Sequence, residues 1–311
     1  MKKMKKALAL VLALGIAASL TACGQKGQGT TDDGASDFPN KDITIVVPFD
    51  AGGGNDIVAR LIAKVAMEGG YFNGANVIVE NQPGGGGAIG QGYVAKTADA
   101  DGYTLLAYTA SVITNTLLKD VPFTVDDLKV IVCCNSDPAV MIARPDAPFD
   151  DVEGLLEYAK ENTLLVNDSG FATSSHIRTL DWTSKLEEIT GETINYDCIH
   201  VDSGNVKAIG IMTDERFEGL PDVPTFKEMG YDGFLDGADR AIACSANVPD
   251  DVYNYLVEEF TKLCSSQEFI DAMNNANLTP ACNSAEEYQV FIDGKVELIT
   301  GLQDYLMAGE G

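Results

Sequence analysis

Residues 43–67 read ITIVVPFDAGGGNDIVARLIAKVAM. Residues 43–47 form an apolar, β-branched run, long enough for a buried strand and too short for a helix. Pro48 ends it, because proline cannot donate to a sheet ladder. Gly52, Gly53 and Gly54 then let the backbone turn tightly and leave room above it. Asn55 is placed to cap a helix, and Asp56 puts negative charge in its first turn. Ile57, Leu61 and Val65, with Val58 and Ile62, repeat at helical spacing until Gly69 and Gly70. A strand, a glycine loop and a helix start direct free amide hydrogens and a partial positive charge at one point. Such a corner suits an anion without a lysine or arginine.

Outward from this unit the same rhythm repeats. A second strand over residues 76–80 leads through Asn81-Gln82-Pro83 and four glycines into a helix over 88–97. The Asp101-Gly102 turn opens a third strand over 103–108. Strands alternating with helices predict a parallel sheet with crossover connections. Residues 109–116, TASVITNT, read as a polar loop at the ligand edge of that sheet. Strands over 130–134 and 139–143 flank Asp137-Pro138, where the chain crosses into a second lobe. Asp151 caps a helix reaching residue 160, and a strand covers 164–166. The stretch NDSGFATSS, residues 167–175, precedes a helix over 176–190 and repeats the anion-friendly corner. Strands over 194–201 and 206–213 follow. Helices over 251–263, 266–275 and 286–307 close the chain, two of them led by S-x-x-E capping boxes, Ser265 with Glu268 and Ser284 with Glu287.

The amino end stands apart. Residues 1–6 carry four lysines, and residues 7–18 are an unbroken run of apolar residues and glycine, too short to span a bilayer and built like a secretory signal. The run ends Leu20-Thr21-Ala22-Cys23, which resembles a bacterial lipoprotein signal. Residues 1–22 are therefore expected to be a signal peptide, Cys23 the lipidated residue, and residues 23–38, polar and glycine-rich, a flexible tether. The net charge is −26, and losing the four lysines of residues 1–22 leaves −30. So acidic a body repels phosphate backbones, and no basic stripe offsets it, which argues against nucleic-acid binding. Any anion must be held locally, against an adverse field. The seven cysteines lack CxxC or CxxH spacing, so no metal site is expected; adjacent Cys133 and Cys134 read as small core residues.

Motifs of catalysis are missing: the sequence contains neither G-x-S-x-G nor G-x-x-x-x-G-K-[ST]. Residues 85–90, GGGAIG, match G-x-G-x-x-G after a strand. The next strand, however, ends Leu106-Ala107-Tyr108-Thr109, without the acid that would hold a ribose. No cofactor is expected, and the glycines read as a loop that packs closely or borders a ligand. The only two histidines, His176 and His200, lie in a first helical turn and at the end of an apolar strand, and read as an exposed or cap-linked histidine and a satisfied core or edge histidine rather than general bases.

IVVPF with GGGND (residues 45–56), VENQPG (79–84), DGYTLL (101–106) and LPDVPT (220–225) resemble, in order, the solute-binding receptors of tripartite tricarboxylate transporters, the Bug family. The resemblance implies an α/β, class II periplasmic-binding-protein-like fold: two lobes with mostly parallel sheets, joined by crossing strands and closing by hinge motion. Lobe 1 would comprise residues 39–136 and 241–311, and lobe 2 residues 137–240. It implies no catalysis, and a small di- or tricarboxylate-like organic anion as ligand. The membrane subunits of such a transporter would be partners, the anchor would hold a monomeric protein outside the cytoplasm, and nucleic acid would not be bound.

Carried over by position, the first binding loop covers Phe49, Ala51, Gly52, Gly53, Gly54, Asn55 and Asp56. The second covers Ser169, Gly170, Thr173, Ser174 and His176, with Phe171 departing from the family's small residues. Ser111 and Asn115 occupy the polar loop, and Arg240, just before a returning strand over 241–244, could clamp a second carboxylate. One departure stands out. The family places a helix, a strand and another helix between the strands matching 196–201 and 206–213, where this chain has only Asp202-Ser203-Gly204-Asn205. Four residues can close a hairpin but not a parallel crossover. A reduced second lobe follows, with these strands antiparallel or one displaced, and the alternative is a degenerate paralogue serving as a sensory or structural surface protein.

Overall fold

Strand β1 (Ile43–Val47) lies one place in from the edge of a six-stranded sheet with the order β10-β4-β9-β3-β1-β2. The computed structural model describes residues 38–167, 174–199, 207–232 and 237–308. β1 runs parallel to β2 (Val77–Asn81) on one side and to β3 (Thr104–Tyr108) on the other. β9 (Gly237–Ser245) is antiparallel to both β3 and β4 (Leu128–Pro138), and β10 (Pro280–Ser284) is antiparallel to β4. Four strands thus share one direction, and β9 and β10 oppose them. The period-2 alternation of strands sorts the core into two layers. Ile43, Ile45, Leu105, Ile242 and Cys244 face helices α1 (Gly54–Gly69), α6 (Asp250–Cys264) and α7 (Gln267–Asn275). Val46, Leu106, Tyr108, Ala241 and Ala243 face α3 (Ser111–Leu118), α8 (Ala285–Ala308) and the first half of α5 (Ser174–Thr190). The short α2 (Ala88–Gly92) continues as a π turn to Thr97.

Residues 139–232 contribute no described strand to this sheet. β5 (Val140–Ala143) pairs antiparallel with β8 (Lys207–Ile211), and β6 (Leu164–Asn167) pairs parallel with β7 (Tyr196–Ile199). A third core gathers Val152, Leu155, Leu156, Trp182, Leu186, Ile209 and Phe226, beneath α4 (Val152–Ala159) and the second half of α5. Of the two arrangements open for the strands on either side of Asp202–Asn205, the displaced one is present: β7 and β8 lie in different two-stranded sheets. The four connecting residues fall outside those described.

Several local expectations are corrected. Residues 109–116 are not a loop: from Ser111 they form α3, because Val112 and Ile113 are fully buried against the sheet and pull the segment into a helix. The cap of α1 is Gly53, without a side-chain cap bond, rather than Asn55. Ile57 points outward, and the buried stripe is Val58, Ala59, Ile62, Val65 and Ala66. Ser266, not Ser265, caps α7 by accepting from the Phe269 amide at 3.2 Å; the Ser265 hydroxyl lies 3.2 Å from Cys282 Sγ instead. The Ser284–Glu287 box is formed in both directions, at 2.7 and 3.2 Å, and Asp151 caps α4 through Gly154 at 2.8 Å. Arg240 lies inside β9, which begins earlier than expected, at Gly237. Strand β10 was not foreseen.

Candidate functional site

Because β1, β2 and β3 are parallel, the loops leaving their carboxyl ends emerge along one edge. Backbone and side-chain bonds hold them together there: Gln82 N–H donates to Val47 O at 2.8 Å and Asn81 Nδ2 to Phe49 O at 3.1 Å. The glycines after β2 let the loops approach. A Cβ built on Gly87, whose φ is +97°, would come within 3.2 Å of the Phe49 ring.

The loop between β1 and α1 is fixed from inside. Asp56 is 3% exposed. It accepts from Gly52 N at 2.9 Å, from Arg60 Nε at 2.9 Å and from Asn81 Nδ2 at 2.9 Å. The Arg60 guanidinium above all, then the Gly52 and Asn81 hydrogen bonds, overcome the cost of burial and pull the carboxyl down to about 2. Its charge is engaged within the loop, so Asp56 shapes the corner. Ala51, Gly52 and Gly53 are exposed, and the amides of Gly53, Gly54 and Asn55 have no acceptor among the described residues. These are the orphan donors of a helix start. The Asn55 Oδ1 atom is buried, also without a partner.

Arg240 reaches the same place from β9. Its Nη1 donates to Asp137 Oδ2 at 2.6 Å and to Asn135 Oδ1. Its other edge lies over α1: a Cβ on Gly54 would come within 2.5 Å of Nη2 and 3.0 Å of Nε. A side chain at that position would have to displace the guanidinium. The side chain is 18% exposed. Burial opposes the Asp137 carboxylate, yet the Thr279 amide, Arg240 and Asn135 outweigh it and hold the group below the ordinary carboxylate range.

Ser111 and Asn115 stand one helical turn apart at the start of α3. The Ser111 hydroxyl accepts from Gln91 Nε2 and lies against Thr109 Oγ1, both at 2.8 Å. Asn115, 1% exposed, donates to Gly86 O at 3.0 Å and Gln91 Oε1 at 2.8 Å. Asn115 thus holds the glycine loop from below, while Ser111 sits at the rim. Ser169, Gly170 and Thr173 lie outside the described residues, and Ser174 and His176 fall in the first turn of α5, which Arg178 ties to Gly237 O at 3.1 Å. Sequence reasoning missed Arg60, Asn81, Gln91, Asn135 and Asp137. Asn81 stood in a quoted motif; nothing in the sequence joins Asp137 to Arg240, 103 residues away.

Chemically, the described residues of the corner offer hydrogen-bond donors and one partly neutralised guanidinium. A family model described as "Tripartite tricarboxylate transporter family receptor" matches residues 58–188 and 187–302. A UPF0065 protein of Bordetella pertussis is 27% identical over 289 residues, 84% of this chain and 88% of that protein. The crystal structure of a TctC solute-binding protein from Polaromonas superposes with a TM-score of 0.72 at 25% identity, covering 86% of this chain and 99% of that one. MatC from Rhodopseudomonas palustris, solved with bound malate, has the same fold: TM-score 0.64, 23% identity, and 86% and 100% coverage.

Proposed function

As the chain belongs to the tripartite tricarboxylate transporter receptor family, a family of binding receptors and not of enzymes, we propose that it captures a small organic anion outside the cytoplasm and presents it to the membrane subunits of such a transporter. The observation that carries this reading lies at Gly54: the Nη2–Nε edge of Arg240 packs against it, and neither that edge nor the amides of Gly53, Gly54 and Asn55 have an acceptor among the described residues. A carboxylate there would receive oriented N–H donors, each charge-assisted bond contributing about 1.5–3 kcal/mol. Four would offset the entropy of association and reach roughly micromolar affinity. MatC, of the same fold, carries malate, which makes malate the first acid to try.

In this reading residues 39–136 and 241–311 form one lobe, residues 137–240 a smaller second lobe, and β4 with β9 the hinge between them. Ser169, Gly170, Thr173, Ser174 and His176 complete the site from the second lobe. Residues 1–22 direct export, Cys23 carries the lipid, residues 23–38 tether the monomer to the membrane, and transfer to the transporter follows closure. The test is calorimetric titration of the mature protein with malate, adipate, citrate and glutamate, alongside mass spectrometry of whatever acid co-purifies. Saturable binding of at least one acid is expected. A flat response to all, with no co-purified acid, would refute the receptor reading and favour a surface protein without a solute. Radiolabelled palmitate incorporation, lost in Cys23→Ser, tests the anchor.

A further inference from the structure

Arg240 is an unusual neighbour for the start of a helix. The amino end of α1 carries partial positive charge, so a cation laid against it is repelled unless something holds it there. Two residues of β4 do so. Asn135, fully buried, and Asp137, on the same face two residues on, both accept from Nη1. Asn135 Nδ2 also donates to Asp137 Oδ1 at 2.9 Å and to Thr279 O at 2.7 Å, and the Thr279 amide donates to Asp137 Oδ1 at 2.8 Å. The acceptors are therefore locked to each other and to the chain just before β10. The guanidinium is gripped by one nitrogen only, which leaves Nη2 and Nε turned to Gly54 with no acceptor among the described residues.

We propose that Asn135 and Asp137 are positioning residues, which aim Arg240 at the amino end of α1 and so preorganise the receptor for its carboxylate. The inference rests on the receptor reading above and adds to it how the cation is held. A long flexible arginine bound by water alone would lose rotamer freedom on each capture event; one already fixed does not. Asp137 also cancels the guanidinium's repulsion from the helix end, so the aimed state is the resting state. The pair sits where β4 and β9 face each other, Asn135 opposite Arg240 in the ladder, so the aim is set by the strand register itself.

A double-mutant cycle with malate as the probe tests this; should malate fail to bind, the tightest acid of the titration panel replaces it. Asp137→Asn keeps the shape and loses the charge. It is expected to weaken binding about 10-fold or more, the effect of one charge-assisted bond. In an Arg240→Ala background the same change is expected to add nothing, since there is no guanidinium left to aim. Equal weakening in both backgrounds would overturn the proposal, because a merely structural Asp137 acts regardless of Arg240. So would normal affinity in Arg240→Ala, with the receptor reading left standing. If the unaltered protein binds no acid at all, both fall. Should Arg240→Ala fail to fold, Arg240→Lys serves as the background, since a lysine cannot span Asp137 and Gly54 with one planar group.

Discussion

Replacing Asp56 by alanine should unfasten the loop that shapes the site, and the cost can be worked from its bonds. The carboxylate accepts from one backbone amide, one guanidinium and one side-chain amide. Holding the acid at about 2 rather than its ordinary 3.8 corresponds to about 2 kcal/mol. Half of the Arg60 side chain, 52%, faces water, so screening reduces this to about 1–2 kcal/mol. The sign follows from the direction: the folded acid titrates below the unfolded one. This stability is therefore present above about pH 4 and lost as the pH falls through about 2. Urea unfolding of the native protein and of Asp56→Ala between pH 2 and 7 measures the gap. It should be about 1–2 kcal/mol from this linkage at neutral pH and should narrow on acidification. An Asp56→Ala protein as stable as the native one at pH 7, or a gap that widens in acid, would refute the account of the loop.

At Gly53, where φ is −78° and a Cβ meets only Asp50 O at 3.7 Å, Gly53→Trp should leave urea stability within about 0.5 kcal/mol while abolishing acid binding by calorimetry. Gln91→Ala should cost about 1–3 kcal/mol, because the fully buried Gln91 joins Ser111 to Asn115 and its loss takes one hydrogen bond from each; chemical denaturation reads this directly. Iodoacetamide applied to the native protein at pH 8 should alkylate exposed Cys282 well before Cys133 and Cys244. Burial pushes those two thiols up to about 12 and leaves little thiolate to react. Peptide mapping by mass spectrometry gives the order.

Much of the fold was legible because it rests on local periodicity. The run at 43–47, the helix ending at Gly70 in left-handed conformation, and the cap at Asp151 all need only a few neighbouring residues to be recognised. Errors came where burial overrode polarity. Residues 109–116 look like a loop by composition, yet the sheet surface recruits Val112 and Ile113 and makes a helix of them. The same override moved Asp56: a charge in a first helical turn suggests exposure, but three donors drew it inside. β10 escaped notice because Pro280 and three exposed residues give it no apolar pattern; it exists by pairing with β4. The glycines of the candidate site were legible as a corner. The brace on Arg240 was not, because it depends on which residues of two distant strands fall opposite each other.

The middle position of β9 has a consequence for how the chain matures. β4 meets no strand made before it; its two neighbours, β9 and β10, are synthesised about 100 and 140 residues later. Until they arrive, the sequence LKVIVCC holds an adhesive, largely apolar ribbon open on both sides. Synthesis from the amino end therefore completes β1, β2 and β3 early and the keystone late. A chain threaded across a membrane would depend on a holdase, or on rapid delivery of its last third, to avoid clumping.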